Sequence, residues 1–580
     1  VKARTVGVRA ALPVVITGEI VALAAFSLLP RLWPGWYIPA AVTAVVVVLM
    51  LITVHRRNLP QWVAALRRWR RVRSRPVEAA AAVDVPHGNL VCGVRTDAYE
   101  AITMVEVTGR AYQPTFLRGS TVSLTTNLLP LQVLTDLLDQ PGVLRLAGID
   151  VVSSGQRVRR ASGYPPLYST LLADRPAAGQ RTTRLIVRVD LVDSVPGLAY
   201  RTSVGAAAAA ATERIINALL QRGIRASALN AAELDAALDE LGAGLAEAPE
   251  PPTPEADEPE TPDAEDGVRT PALAGAAVGG TGTAGGAAGR PARRVDVGWH
   301  TVNAHPGHLT TYYYSPEDIT TANLNHMWSL RSDHVVQLIS LRKKRRANLD
   351  GSGPVMVSAM VRTEEPQRPQ QPPTLCLNTL PGDQFAAALR AAPTARPRLR
   401  LPERALEDDP GELAIPIGST GILVGAAQQD NPRTRPPIQR DDLIMWSLTD
   451  PQRATRIVMD TSDFYIRQLL VRAAAVGERI AIYTSQPRRW EALSQPMIAV
   501  MDRGRAPDFV PSIIVNDRAS TPPSAGLAST VITLGRAERG PAPDLRFVQT
   551  SPTSVRVSTV LWNLDIAIVA FRQEQGWTGG

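Results

Sequence analysis

The sequence predicts two transmembrane helices at the amino terminus, followed by a mixed α/β cytoplasmic body in two parts joined by a disordered linker. Three observations predict it. Two apolar runs of about 20 residues open the chain, residues 11–30 and 36–54, each as long as a helix needs to cross about 30 Å of hydrocarbon. Downstream, β-branched strand segments alternate with helices that carry recognisable caps. Between residues 245 and 297 that alternation stops: Glu247 to Asp266 holds nine acids, no base and many prolines, and a glycine- and alanine-rich stretch follows.

The expected organisation is therefore a membrane hairpin over 1–55, a basic juxtamembrane neck over 56–76, a first α/β part over 88–242, the linker over 245–297, and a second α/β part over 298–575. In the hairpin, RLWPG makes a tight connection, and Trp33, Trp36 and Tyr37 sit where amphipathic rings favour an interface. A secretory leader would have a shorter apolar core and no second run directly behind it. Glu19 is an ionisable group inside the first run, expected to face a partner or to be neutral.

Charge gives an orientation. The chain has net charge +8, but residues 1–75 hold twelve Lys/Arg against the single acid Glu19, while the remaining 505 residues hold 50 bases and 53 acids. Eight of the twelve lie between Arg56 and Arg75, so the positive-inside rule places both termini in the cytoplasm, in a multi-pass inner-membrane protein. The neck reads as a helix with Trp62, Val63, Leu66 and Trp69 against Arg67, Arg68, Arg70 and Arg71, suited to anionic headgroups. A near-neutral body argues against nucleic acid as a partner. Two cysteines, Cys92 and Cys376, in 580 residues point to a reducing compartment.

In the first part, strands are expected at 100–106, 149–153 and 183–192. A helix is expected after Asn127, a second from Ser203 to Gly223, and a third opened by a capping box of Asn230 and Glu233. In the second part, the clearest unit is a strand at 454–460, a helix capped by Asp463 and ended by Gly477, a strand at 478–484 and a helix near Arg488. Short strands are expected from 498 onward.

The chemical motifs are sparse. Five histidines fall between His300 and His334, with His305 and His308 three apart across a Pro-Gly turn, but no third ligand is fixed. Asp190/Asp193, Asp408/Asp409 and Asp441/Asp442 sit where turns favour aspartate. Gly279 to Gly286 lacks the strand, helix and lysine of a phosphate loop, and no nucleophile elbow exists. No catalytic residue, metal ligand, cofactor or small-molecule substrate is therefore assigned. Arg342, Lys343, Lys344, Arg345 and Arg346 form the concentrated basic patch of the body, a solvated strand end or a contact for an acidic partner.

Several phrases together resemble one family. The two apolar runs lead into NLPQWVAALRRWRR; AIPIGSTGILVG follows at 414–425, FYIRQLLVRAAAVGERIAIYT at 464–484 and RRWEAL at 488–493. This combination resembles EccE, a membrane component of the actinobacterial type VII (ESX) secretion apparatus. The resemblance implies a non-enzymatic structural subunit at the periphery of a membrane complex, with EccB, EccC and EccD as partners and EccC as the ATPase, and with membrane lipid beside it. Read from its residues alone, PIGSTGILVG is a turn between strand edges with close backbone approach. The rival reading is a membrane-anchored glycosyltransferase-like enzyme using Asp460 and Asp463 at a strand end; binding of a nucleotide sugar with manganese would discriminate it.

Overall fold

The structure is a computed structural model and describes residues 6–8, 12–28, 37–54, 57–72, 77–159, 163–247, 296–304, 307–344, 353–397, 399–406, 413–501, 507–517, 530–535 and 542–579. Residues 248–295 of the expected linker, with Trp33, Trp36, His305, Arg345, Arg346, Asp408 and Asp409, lie outside these.

The amino-terminal expectation is corrected. Helix α1 covers Leu12–Leu28 (17 residues) and helix α2 covers Tyr37–Leu51 (15 residues). At 1.5 Å per residue these are about 25 and 22 Å long, short of about 30 Å of hydrocarbon. Among the described residues no helix is long and apolar enough to cross a membrane. The second apolar run ends early because its β-branched tail, Ile52–Val54, leaves the helix for a strand. That strand pairs antiparallel with Val6–Val8 and with Arg57–Asn58. The amino terminus therefore carries strands as well as helices, and the orientation argued from arginine placement loses its premise.

Among the described residues the body is built on two large sheets, of 14 and 12 strands, and is richer in sheet than an even α/β alternation. The longest ladders of the first sheet run Gly307–Tyr314, Val355–Glu365, His334–Lys343, Leu144–Gln156, Gln180–Asp190 and Glu100–Gly109, all antiparallel. Alternation with period two covers both faces. Ala101, Val105, Ile149, Val151, Leu185, Val187, Ile339 and Val361 share one core with helix α4, Val204–Gln221. Ile102, Met104, Val152, Ile186, Val336, Leu338 and Met360 share the other with helix α5, Ala231–Gly242, and with residues 387–401.

The caps explain why these helices start where they do. Ser203 accepts from the Ala206 N–H (3.0 Å), and Asn230 and Glu233 close the expected capping box at 2.9 Å in both directions. The helix expected after Asn127 shrinks to Leu131–Asp136, because Asp139–Gln140 pairs with the strand at Leu144 instead.

The second sheet is parallel over Ile498–Met501, Ile480–Thr484, Ile513–Asp517, Thr530–Leu534, Thr455–Asp460 and Leu545–Ser551, then antiparallel to its far edge. Helix α6, Asp463–Val476, packs on it through Leu469, Leu470, Ala473 and Val476 and ends at Gly477, whose φ of 110° suits glycine. Its N-cap is Ser462 rather than Asp463. The segment expected as a helix near Arg488 is the 3-10 helix Pro487–Leu493.

The two sheets exchange strands. Thr115–Arg118 and Val122–Thr125, from early in the chain, form the far edge of the second sheet, while Gly307–Tyr314, His334–Lys343 and Val355–Glu365 complete the first. The GSTG turn joins them. Thr420 exchanges hydrogen bonds with Ala178, Ser419 accepts from the Arg181 N–H, and a Cβ on Gly421 (φ +82°) would lie 2.2 Å from Trp446 backbone.

His334 gives this fold a pH dependence. Its ring lies 3.1 Å from the Ser154 hydroxyl; burial, then Arg362, pull its pKa down to about 4. The unfolded chain takes up this proton near pH 6.5, and the folded state resists it until about 4, so stability present above pH 6.5 is lost as pH falls through that window. A loss of roughly 2–3 kcal/mol is expected between pH 7 and 4 from this group. Urea titrations of wild type and His334→Gln should differ by that amount at pH 4 and converge at pH 7.

Candidate docking surface at the arginine-rich neck

Helix α3, Leu59–Val72, is the neck. One side is consumed by the body. Ala65 is fully buried, Trp62 stacks on Trp299 with centroids 6.0 Å apart, and Trp69 meets the same ring edge-on at 5.4 Å. The Trp69 indole N–H donates to Val297 O at 2.9 Å. Below the ring pair, Asp383 is a shared acceptor. Arg57 Nη2 reaches it at 2.6 Å and Arg68 Nη2 at 3.1 Å, while Arg57 Nη1 donates to Pro381 O. Arg57 also lies 5.5 Å over the Trp62 ring.

The other side has a different chemistry. Leu59, Val63 and Leu66 recur at i, i+4 and i+7 and are exposed, and Arg67, Arg70 and Arg71 are exposed around them. An open groove of ≈ 540 Å³ runs along Leu59, Val63, Ala64, Arg67, Arg68 and Arg71 and reaches Thr17 of α1. Such a face offers apolar area and cationic donors together, the combination that seats on anionic surfaces.

The structure thus brings Arg67, Arg70 and Arg71 to one face and turns Trp62 and Trp69 inward, while the half-exposed Arg68 sits between, reaching Asp383 from the edge of the groove. Glu19 is exposed on α1. In the body patch, Arg342 pairs with Glu403 at 3.3 Å, Lys343 pairs with Asp139, and Lys344 is exposed. Trp299 and Asp383, the residues that hold the neck in place, were not legible in the sequence. Both lie more than 225 positions away, and only the aromatic composition of GWH hinted at the first.

The other chemistry-bearing residues are dispersed. His308 bonds Asn303, His326 lies beside Ser329, and His334 bonds Ser154. Among the described residues no group of three or more potential ligands could hold a metal ion. Asp190 closes a turn by accepting from the Val192 and Asp193 N–H groups, and Asp442 accepts from Arg118 at 2.8 and 3.1 Å. Asp463 is clamped by Arg489, whose hydrogen bonds lower its pKa and whose Nη1 also holds Asp517 at 2.7 Å. Cys92 is a buried free thiol, pushed up to about 11 by burial, and Cys376 is also unbridged.

Comparison with known proteins gives a consistent picture. Residues 177–314, which include the strands Gln180–Asp190 and Gly307–Tyr314 of the first sheet and helices α4 and α5, match the family described as "Putative type VII ESX secretion system translocon, EccE". The chain is 27% identical over 474 residues to the ESX-2 secretion system protein EccE2 of Mycobacterium tuberculosis CDC 1551, covering 81% of this chain and 75% of that one. It is 26% identical over 430 residues to the ESX-5 secretion system protein EccE5 of Mycobacterium tuberculosis H37Rv, covering 69% and 91%. The Mycobacterium marinum EccE5 is 25% identical over 436 residues, covering 71% and 94%.

Proposed function

We propose that this chain, an EccE-family component of a type VII (ESX) secretion system, plays a structural part in it. The sheet-rich body presents the outward face of α3 to an anionic membrane surface and to neighbouring components, with the family partners EccB, EccC and EccD as the expected neighbours. One observation carries this reading: α3 is clamped through Trp62, Trp69 and Arg68, yet it leaves Leu59, Val63 and Leu66 outward beside Arg67, Arg70 and Arg71. A helix held this firmly loses little entropy on docking, so its exposed area and charge act at low cost. A non-catalytic role is supported by the relatives' names as secretion-system proteins and by the tie between Asp463 and Arg489.

Purification of a tagged chain from mildly solubilised membranes of its host tests the proposal. The other secretion components should be recovered with it. Reversing three charges, Arg67→Glu/Arg70→Glu/Arg71→Glu, should cut that recovery by about tenfold or more with unchanged melting temperature, since these side chains make few contacts within the chain. Recovery of the chain alone, or undiminished recovery with the triple variant, would sink the reading.

A further inference from the structure

Where the two sheets meet, one cation has no carboxylate partner among the described residues. Arg181 opens the strand Gln180–Asp190 and is only 8% exposed. Its Nε donates to Gly418 O at 2.7 Å, and its guanidinium lies 5.0 Å over the Trp328 ring. Its terminal nitrogens have no carboxylate among the described residues. Burial alone pulls its pKa down to about 9, with no neighbouring charge to offset it, so it stays cationic at neutral pH. A buried, uncompensated cation is costly.

A cavity of ≈ 10 Å³ lies in front of it, room for about one water-sized sphere. Its walls include Thr115, Ser123 and Thr125 from the edge hairpin of the second sheet, Thr420 from the GSTG turn and Asn325 from the connection between two strands of the first sheet. No acid lines it. The Thr420 oxygen already accepts from the Ala178 N–H, and the Thr125 oxygen from the Asn127 N–H. Each of those hydroxyls still has its O–H to donate.

We infer that this cavity is a binding site for a single halide-sized inorganic anion, of the chloride class, held by Arg181 and the surrounding hydroxyl and amide donors. The reasoning is one of charge, donors and size. A guanidinium and several O–H and N–H groups line a space with no carboxylate in its walls, which favours an anion. The volume admits one atom and excludes sulfate or phosphate. The anion supplies the counter-charge that the described residues around Arg181 do not, and it bonds residues of both sheets, so it stabilises the seam between them.

Melting of the full chain at constant ionic strength, with chloride or bromide replacing gluconate, provides the test. A saturable rise of about 1–3 °C is expected for the wild type and none for Arg181→Gln or Arg181→Met. An equal rise in those variants, or no saturable rise in the wild type, overturns the proposal. Should neither variant fold, crystals of the wild type grown in bromide decide it. An anomalous peak within hydrogen-bond reach of Arg181 supports the site, and its absence at saturating bromide overturns it.

Discussion

Asp150→Ala is expected to destabilise the protein by about 3–5 kcal/mol, the cost of breaking a buried charge pair by removing one partner. Asp150 and Arg188 are both fully buried, and Arg188 Nε donates to the carboxylate at 2.9 Å. The Ser340 hydroxyl also donates to it, and Arg396 Nη2 lies 3.6 Å away. Burial by itself would raise the pKa of this carboxyl, yet Arg396, Arg390 and Arg188, with Ser340, hold it well below the usual carboxylate range.

Strand register puts these groups on one face. Asp150 pairs directly with Ser340 across one neighbour and with Ile186 across the other, two residues from Arg188. Alanine at 150 would leave the cations with Glu100 as the remaining nearby anion, 3.1 Å from Arg188 and 3.6 Å from Arg396. Denaturant unfolding of the variant measures the loss, and a change under about 1 kcal/mol would refute the argument. The double variant Asp150→Leu/Arg188→Met should recover part of the loss but not all, because Arg390 and Arg396 keep their charges.

Glu574→Ala should cost a similar amount, about 3–5 kcal/mol, and should also free the carboxyl-terminal segment. Glu574 is 1% exposed, and its two oxygens accept from side chains of α6, from Tyr164 and from the Phe571 N–H. Arg472 Nε (2.7 Å) and the Tyr164 hydroxyl reach Oε1; Arg472 Nη2 (2.8 Å) and Gln468 Nε2 (2.6 Å) reach Oε2. Burial, then the nearby Glu574 charge, push the Tyr164 pKa far up, so that phenol stays protonated and donates.

Arg472 and Gln468 lie on α6, so one carboxylate holds residues 571–578 against that helix and against Tyr164, whose ring meets Trp577 at 5.0 Å. Hydrogen exchange should therefore show lost protection at 571–578 in Glu574→Ala before any loss in the central strands. Arg472→Met/Glu574→Leu is expected to recover only partly, since Arg472 also donates to Leu423 O and Val569 O, and the double variant removes both of these bonds. Unchanged protection at 571–578 would refute the clamp.

Much of the local structure was legible in the sequence. The capping box at Asn230 and Glu233, the cap at Ser203, the stop at Gly477 and the strands at 455–460, 480–484 and 513–517 follow from rules that act over four or five residues. The basic face of α3 was legible in the same way, since helical spacing alone puts Arg67, Arg70 and Arg71 beside Leu66. The two amino-terminal runs misled because hydropathy counts apolar residues and does not see that Ile52–Val54 can pair with Val6–Val8.

Where elements begin and end, where the excess charge lies, and the phrases that resemble EccE proteins can all be read from the residues in order. Which strands share a sheet, that Trp62 and Trp69 turn inward on Trp299, and that Asp150 gathers arginines from positions 188, 390 and 396 emerge with the folded arrangement. The difference is one of range. Caps and turns are settled by hydrogen bonds between near neighbours, whereas pairing and charge burial depend on contacts between residues hundreds of positions apart, whose partners no local pattern specifies.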